Sequence, residues 1–167
     1  LAPGLFGPCG YGLPSVVGAK IACPDVPVVG FSGDGAFGIA VTELTAIGRP
    51  EWPAITQIVF RNYQWGAEKR NSTLWYDDNF VGTELDTQVS YAGIAKACGL
   101  QGVVARTMDE LTEALRKAVT DQMENGKTTL IEAMINQELG EPFRRDAMKK
   151  PVAVAGISKS DMRPQKA

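Results

Sequence analysis

The sequence predicts an α/β domain, a parallel sheet flanked by helices, and three observations carry that prediction. Short apolar runs of strand length recur at residues 26–31, 55–60, 102–105 and 128–135. Segments with apolar residues at helical spacing lie between them. Strands alternating with helices favour parallel pairing through right-handed crossovers.

Each element follows from its residues. Residues 12–23 (GLPSVVGAKIAC) carry small and apolar side chains at helical spacing, with Pro14 suited to a first turn. Residues 26–31 (VPVVGF) are uncharged, as expected of a strand covered on both faces. Gly33-Asp34-Gly35 follows, and residues 36–47 read as one helix stopped by Gly48, Arg49 and Pro50. Residues 55–60 (ITQIVF) are a second buried-type strand. Residues 61–88 are polar and aromatic without a clear period, and so long a connection usually carries function. Residues 90–98 form a short helix with Ser90 as cap and Gly99 as stop, and residues 102–105 a third strand. Residues 109–124 are the best helix, with a stripe of Leu111, Ala114, Leu115, Ala118, Val119 and Met123 ended by Asn125-Gly126. Residues 128–135 are the fourth strand. The domain is expected over 1–137, and the polar segment 138–167 is expected to wrap a neighbour or fray.

Composition removes several classes of function. The 167 residues are 44% hydrophobic and 22% charged, as in a globular protein. Lysine plus arginine is 17 against 19 acidic residues, a net charge of −2, so no basic excess exists for nucleic acid. Histidine is absent, which removes Ser-His-Asp and Cys-His catalysis and His-based metal sites. Cys9, Cys23 and Cys98 fit neither a zinc site nor a disulfide framework, and reduced thiols in the cytoplasm are the simplest expectation, with Cys23 and Cys98 as small core fillers. No apolar run approaches the roughly 20 residues that cross a bilayer, so no membrane partner is expected. A start at Leu1 inside a Gly-rich apolar stretch suggests a C-terminal piece of a longer chain.

In parallel sheets ligands bind at the carboxyl ends of strands, which points to the loops after Phe31 and Phe60. Flanking glycines let the backbone approach an anion at a helix start, but Asp34 would repel a phosphate unless a cation lay between. Asp34, the Asn62 amide and a backbone carbonyl near Gln64 supply three oxygens. Mg²⁺ takes about six and commonly uses few protein ligands plus phosphate oxygens. Each motif alone is an ordinary turn; the order strand, Gly-Asp-Gly, helix, strand, Asn is what raises the signal.

At this point the stretch from Gly33 to Asn62 resembles the signature of thiamine-diphosphate-dependent enzymes. The resemblance implies the thiamine-diphosphate-binding domain of such an enzyme, with Asp34, Asn62 and the Gln64 carbonyl on Mg²⁺. It also implies cofactor contacts from Cys9, Gly10, Gly33, Gly35 and Ala36, with Trp65 and Gly66 after the metal loop. Cys9 stands where the family often has a bulky apolar residue, and Arg61 where it often has a first Asn. Residues 62–71 (NYQWGAEKRN) and 138–151 (ELGEPFRRDAMKKP) are similar to the branch that transfers an acetyl group from sulfoacetaldehyde to phosphate, giving acetyl phosphate and sulfite. No residue here is an evident acid–base catalyst, which suits a module that only anchors a cofactor; the family resemblance implies an activating Glu on a separate pyrimidine-binding domain and a homo-oligomer with its site between subunits. Acetolactate-synthase-like and 2-oxo-acid decarboxylase activities share the metal motif, and a non-catalytic phosphate- or nucleotide-binding module is the reading outside the family. Arg144 and Arg145 suit an anionic substrate, with a surface or subunit contact the blander reading. Lys69 and Arg70 are expected to be solvated, and Glu43 to have a helix-surface or helix-packing role.

Overall fold

The computed structural model describes residues 1–4 and 6–137. In chain order its elements are α1 (Gly12–Ala22), β1 (Val29–Gly33), α2 (Asp34–Ile39), a 3-10 turn (Val41–Glu43), α3 (Leu44–Ile47), β2 (Thr56–Arg61), α4 (Gly66–Trp75), α5 (Tyr91–Ala97), β3 (Gln101–Ala105), α6 (Met108–Glu124) and β4 (Thr129–Met134). The chain divides into two compact units. The first comprises Leu1–Tyr63 and Asp86–Asn136; among the described residues the second comprises Gln64–Leu85 and Gln137.

The first unit is built on one parallel sheet of order β1-β2-β4-β3, as the alternation of strands and helices predicts. Its central strands are the apolar runs that the sequence marks most strongly, and β2 and β4 are buried along nearly their whole length. Successive side chains alternate between two cores. Val59 and Leu130 face a cluster with Leu13, Phe37, Leu44 and Tyr91. Ile58, Ile131 and Ala133 face the opposite cluster, with Ala118 and the half-buried Leu111, Ala114 and Leu115 of α6. Each fully buried Val, Leu, Ile or Phe side chain among them contributes about 1.5–3 kcal/mol.

The edges correct the sequence reading. Residues 26–31 were expected to be covered on both faces, yet β1 begins at Val29 and leaves Phe31 60% exposed, its ring stacked on Phe60 at 6.2 Å. An edge strand has one neighbour only, and an apolar run does not reveal which strands lie at the edge. The helix expected over 36–47 breaks into α2, the 3-10 turn and α3. Ala40 leaves helical geometry at φ −106° and ψ 12°. Gly35 and Gly38 before it, and β-branched Val41 and Thr42 after it, are weak helix formers.

Helix ends are fastened by side-chain caps, expected at Ser90 and not read from the sequence at Thr107. The Ser90 hydroxyl caps α5 by accepting from the Gly93 amide at 3.1 Å. Thr107 caps α6 by accepting from the Glu110 amide at 3.2 Å, and the Glu110 carboxylate accepts from the Arg106 amide at 2.6 Å. The predicted α6 stripe needs one correction. Met123 is exposed, whereas Asp121 and Gln122 are buried beside it. The buried Gln122 amide is occupied by hydrogen bonds to residues 28 and 56, which compensate its burial. Cys98 packs against the first core, but Cys23, expected as a filler, is exposed at the end of α1.

The second unit holds α4, inside the stretch expected to lack regular structure. The sequence of α4, GAEKRNSTLW, is polar nearly all round, so no apolar stripe announced it. Gln64 bridges Glu84 in antiparallel fashion, and the Trp65 amide donates to the Thr83 carbonyl at 2.7 Å. Lys69, expected to be solvated, pairs with Glu84 and lies over the Phe80 ring. Among the described residues no helix is long and apolar enough to cross a membrane.

Candidate functional site

Parallel pairing of β1 with β2 sets Gly33 opposite Phe60, so both strands end at the same edge of the sheet. Asp34 follows the first strand, and Arg61, Asn62 and Tyr63 finish and follow the second. The Asp34 side chain is only 2% exposed and is wrapped by donors. Its Oδ2 accepts from the Tyr63 amide at 2.7 Å, the Asn62 amide at 3.1 Å and Arg61 Nη1 at 3.2 Å. Its Oδ1 accepts from the Gly35 amide at 3.0 Å, its one donor among the described residues. Tyr63 takes the left-handed conformation at φ 61°, uncommon for a side-chain-bearing residue, as the chain turns two successive amides toward one oxygen.

Arg61 is 1% exposed, and its Nε carries no hydrogen bond among the described residues. Nη2 donates to the Asp86 carbonyl at 2.6 Å and the Val89 carbonyl at 3.0 Å. Nε lies 3.4 Å from Glu132 Oε1. The guanidinium sits over the Tyr63 ring at 4.2 Å and the Tyr91 ring at 4.9 Å. Glu132 Oε2 accepts from the Ser90 hydroxyl at 2.9 Å and the Ala92 amide at 3.1 Å. The Tyr91 hydroxyl donates to the Asp34 carbonyl at 3.0 Å, and its ring meets Phe37 edge-on. Burial pushes the Tyr91 phenol above its usual range, against the opposing pull of the Arg61 cation.

The structure thus brings Asp34 and the backbone of Asn62 together, with Gly33, Gly35 and Ala36 on the same turn. Gly10 adopts φ 88°, and a Cβ there would come within 3.0 Å of Ile39 Cγ2, so the Gly-rich segment runs close to the end of α2. Cys9 is exposed. Gln64, Trp65 and Gly66 belong to the second unit, where Gln64 Nε2 donates to the Gln137 carbonyl at 2.9 Å. Arg144 and Arg145 lie outside the described residues. Glu43 is exposed on the 3-10 turn, in keeping with a surface role.

Sequence reasoning missed Arg61, Tyr91 and Glu132 as parts of this site. One signal was available. Arg61 closes the run ITQIVFR, and Glu132 interrupts the apolar run of β4. Two opposite charges in two buried strands call for pairing, because a lone buried charge is costly.

The donor set suits a hard cation. A carboxylate oxygen has two lone pairs, and Oδ1 uses one. Among the described residues no group of three or more His, Cys, Asp or Glu could hold a metal. A cation here would therefore rely on one carboxylate plus neutral oxygens and a ligand's own oxygens, as Mg²⁺ with a diphosphate does.

A parallel sheet with this loop pair, and a match to the family model "Thiamine pyrophosphate enzyme, C-terminal TPP binding domain" over residues 1–133, show that the chain belongs to that family. It is 85% identical over 165 residues to sulfoacetaldehyde acetyltransferase of Rhodobacter capsulatus, and 86% identical over 165 residues to that of Roseovarius nubinhibens. Each match takes in 99% of this chain, which spans 28% and 27% of the length of those relatives. A solved thiamine diphosphate-dependent 4-hydroxybenzoylformate decarboxylase of Rhodococcus jostii superposes with a TM-score of 0.66 at 25% identity, covering 81% of this chain and 24% of that one.

Proposed function

We propose that this chain anchors thiamine diphosphate, through Mg²⁺, in an enzyme converting sulfoacetaldehyde and phosphate to acetyl phosphate and sulfite. The observation that supports the anchoring role is the buried Asp34 carboxylate, with three donors on Oδ2 and one on Oδ1. One oxygen fixes the side chain and the other keeps a lone pair for a cation. The relatives that match 99% of this chain support the choice of reaction.

In this reading Asp34, the Asn62 amide oxygen and the Gln64 carbonyl hold the metal. Cys9, Gly10, Gly33, Gly35, Ala36, Trp65 and Gly66 line the cofactor, and Arg144 and Arg145 receive an anionic substrate. The bound cofactor supplies the chemistry that breaks the carbon–sulfur bond. This chain's residues bind and orient it, and the glycines let backbone approach its phosphates closely. The activating Glu comes from a pyrimidine-binding domain of the same or a second chain, and the working enzyme is a homo-oligomer. The three cysteines, unpaired with one another, suit the cytoplasm.

The test is sulfite release. The full-length protein, given thiamine diphosphate, Mg²⁺, phosphate and sulfoacetaldehyde, is expected to form sulfite and acetyl phosphate in equal amounts. Turnover of a 2-oxo acid with no sulfite formed would instead assign it to the acetolactate-synthase or decarboxylase branch.

A further inference from the structure

Asp34, Arg61 and Glu132 form a line of three buried charges reaching from the loop after β1, across the end of β2, to the middle of β4. Replacing such a buried ionic group with well-packed apolar residues is often neutral or stabilising, so stability alone gives no reason for it. Geometry gives one. The guanidinium is held by two backbone carbonyls at Nη2, by the Glu132 carboxylate 3.4 Å from Nε as an ion pair without a hydrogen bond, and by the Tyr63 and Tyr91 rings that it overlies. Its remaining Nη1 meets Asp34 Oδ2, where two amides already point. That oxygen is saturated, the carboxylate cannot rotate, and the spare lone pair is left on Oδ1. Charge supplies a second part. Arg61 alone would neutralise Asp34 and compete with a cation, whereas Glu132 balances Arg61 and leaves the trio at net −1.

We propose that Arg61, balanced by Glu132, is a positioning residue that presents the Asp34 carboxylate to a divalent cation. The proposal rests on the reading of Asp34 as a metal ligand. It assigns different roles to the two partners: Arg61 sets the angle of the carboxylate, and Glu132 preserves its charge.

The experiment is a titration of the full-length protein with Mn²⁺ in the presence of thiamine diphosphate, with free Mn²⁺ read by electron paramagnetic resonance. Each variant's thermal midpoint is measured without metal. Glu132→Gln, which keeps shape but leaves the Arg61 charge unbalanced, is expected to weaken Mn²⁺ binding about tenfold or more, the worth of one charge-assisted hydrogen bond. The pair Arg61→Met with Glu132→Gln removes both charges. It is expected to bind Mn²⁺ weakly by a similar factor, and because Asp34 stays buried without the Arg61 cation its metal-free midpoint is expected to fall, so affinity is read at a temperature where the variant is folded. Arg61→Lys, a point charge that cannot span Asp34 and two carbonyls, is expected to fall between. Folded double variant with Mn²⁺ affinity within twofold of the parent would overturn the proposal. Were the double variant not to fold, parent-like affinity in both Arg61→Lys and Glu132→Gln would overturn it equally. Asp34→Ala separates the two levels: parent-like Mn²⁺ binding there removes the reading of Asp34 itself, whereas loss there with none in the other variants removes only the role of Arg61 and Glu132.

Discussion

Substituting Glu for Gln122 tests how α6 is fastened to the first strand. The Gln122 side-chain amide pairs with residue 28 as a neighbouring strand's peptide would. Its Oε1 accepts from the Val28 amide at 2.7 Å, and its Nε2 donates to the Val28 carbonyl at 2.8 Å and to the Thr56 hydroxyl at 3.1 Å. In Gln122→Glu the first bond survives. The Nε2 donor becomes an oxygen facing the Val28 carbonyl, which still accepts from the Thr56 amide at 3.2 Å. The bond to the Val28 carbonyl is lost, the Thr56 hydroxyl can turn to donate to the new oxygen, and a charge is buried against a carbonyl, which costs about 2–4 kcal/mol at neutral pH. For a domain of this size about 2–4 °C of Tm accompanies each kcal/mol, so the midpoint falls by roughly 4–16 °C.

Protonation of the new carboxyl restores an O–H donor toward Val28. Burial and the facing carbonyl raise its folded pKa above the unfolded value of about 4.3. The penalty is therefore smallest below that unfolded value and grows as pH rises through the folded one. Urea unfolding of variant and parent, followed by circular dichroism at pH 5 and pH 8, reads the difference at each pH. A variant as stable as the parent at pH 8, or a penalty equal at both pH values, would refute this account of the contact.

Three further outcomes follow from the same geometry. Gly102→Ala places a Cβ 2.0 Å from the Ala92 carbonyl oxygen and 2.8 Å from its carbon, both backbone. Neither α5 nor β3 can rotate it away, so a loss of about 3 kcal/mol or more is expected in thermal unfolding. Tyr91→Phe keeps the ring between Phe37 and Arg61 but deletes the bond to the Asp34 carbonyl, for a loss of about 1 kcal/mol near neutrality. The parent's phenol has a folded pKa raised above 10.0, so its stabilisation is complete below 10.0 and is lost as pH rises through the folded value; unfolding scans of Tyr91→Phe should lack that alkaline decline. Asp121 is held below its usual range by hydrogen bonds from Lys117 and then Asn125. Its stabilisation is present above the unfolded pKa and is lost as pH falls through the lowered folded one, so Asp121→Asn should flatten the acid limb of a pH–stability curve.

What the sequence showed and hid has physical causes. The interior strands were legible because β2 and β4 are buried on both faces and so read as short, mostly apolar runs. α5 was legible because the Ser90 cap and the Gly99 stop act locally, and α6 because of its apolar stripe and the Asn125-Gly126 stop. Edge position was not, since the apolar run at 26–31 looks the same whether or not its second side is covered. Polar α4 had no stripe to read, and the break at Ala40 depends on local glycines and branched residues that propensity alone weighs weakly. At the site, Asp34 and Asn62 stood out through a motif. Arg61 and Glu132 did not, because their partnership is set by the β2–β4 register, where Val59 faces Glu132, and that pairing is a property of the sheet.

The most direct measurement of the central claim is a calorimetric titration of the full-length protein with thiamine diphosphate, with and without Mg²⁺, in the parent and in Asp34→Ala. Binding that requires Mg²⁺ in the parent and vanishes in the variant is the result expected. Equal affinity with and without the metal, or an Asp34→Ala protein that binds like the parent, would contradict a cation held at the ends of β1 and β2.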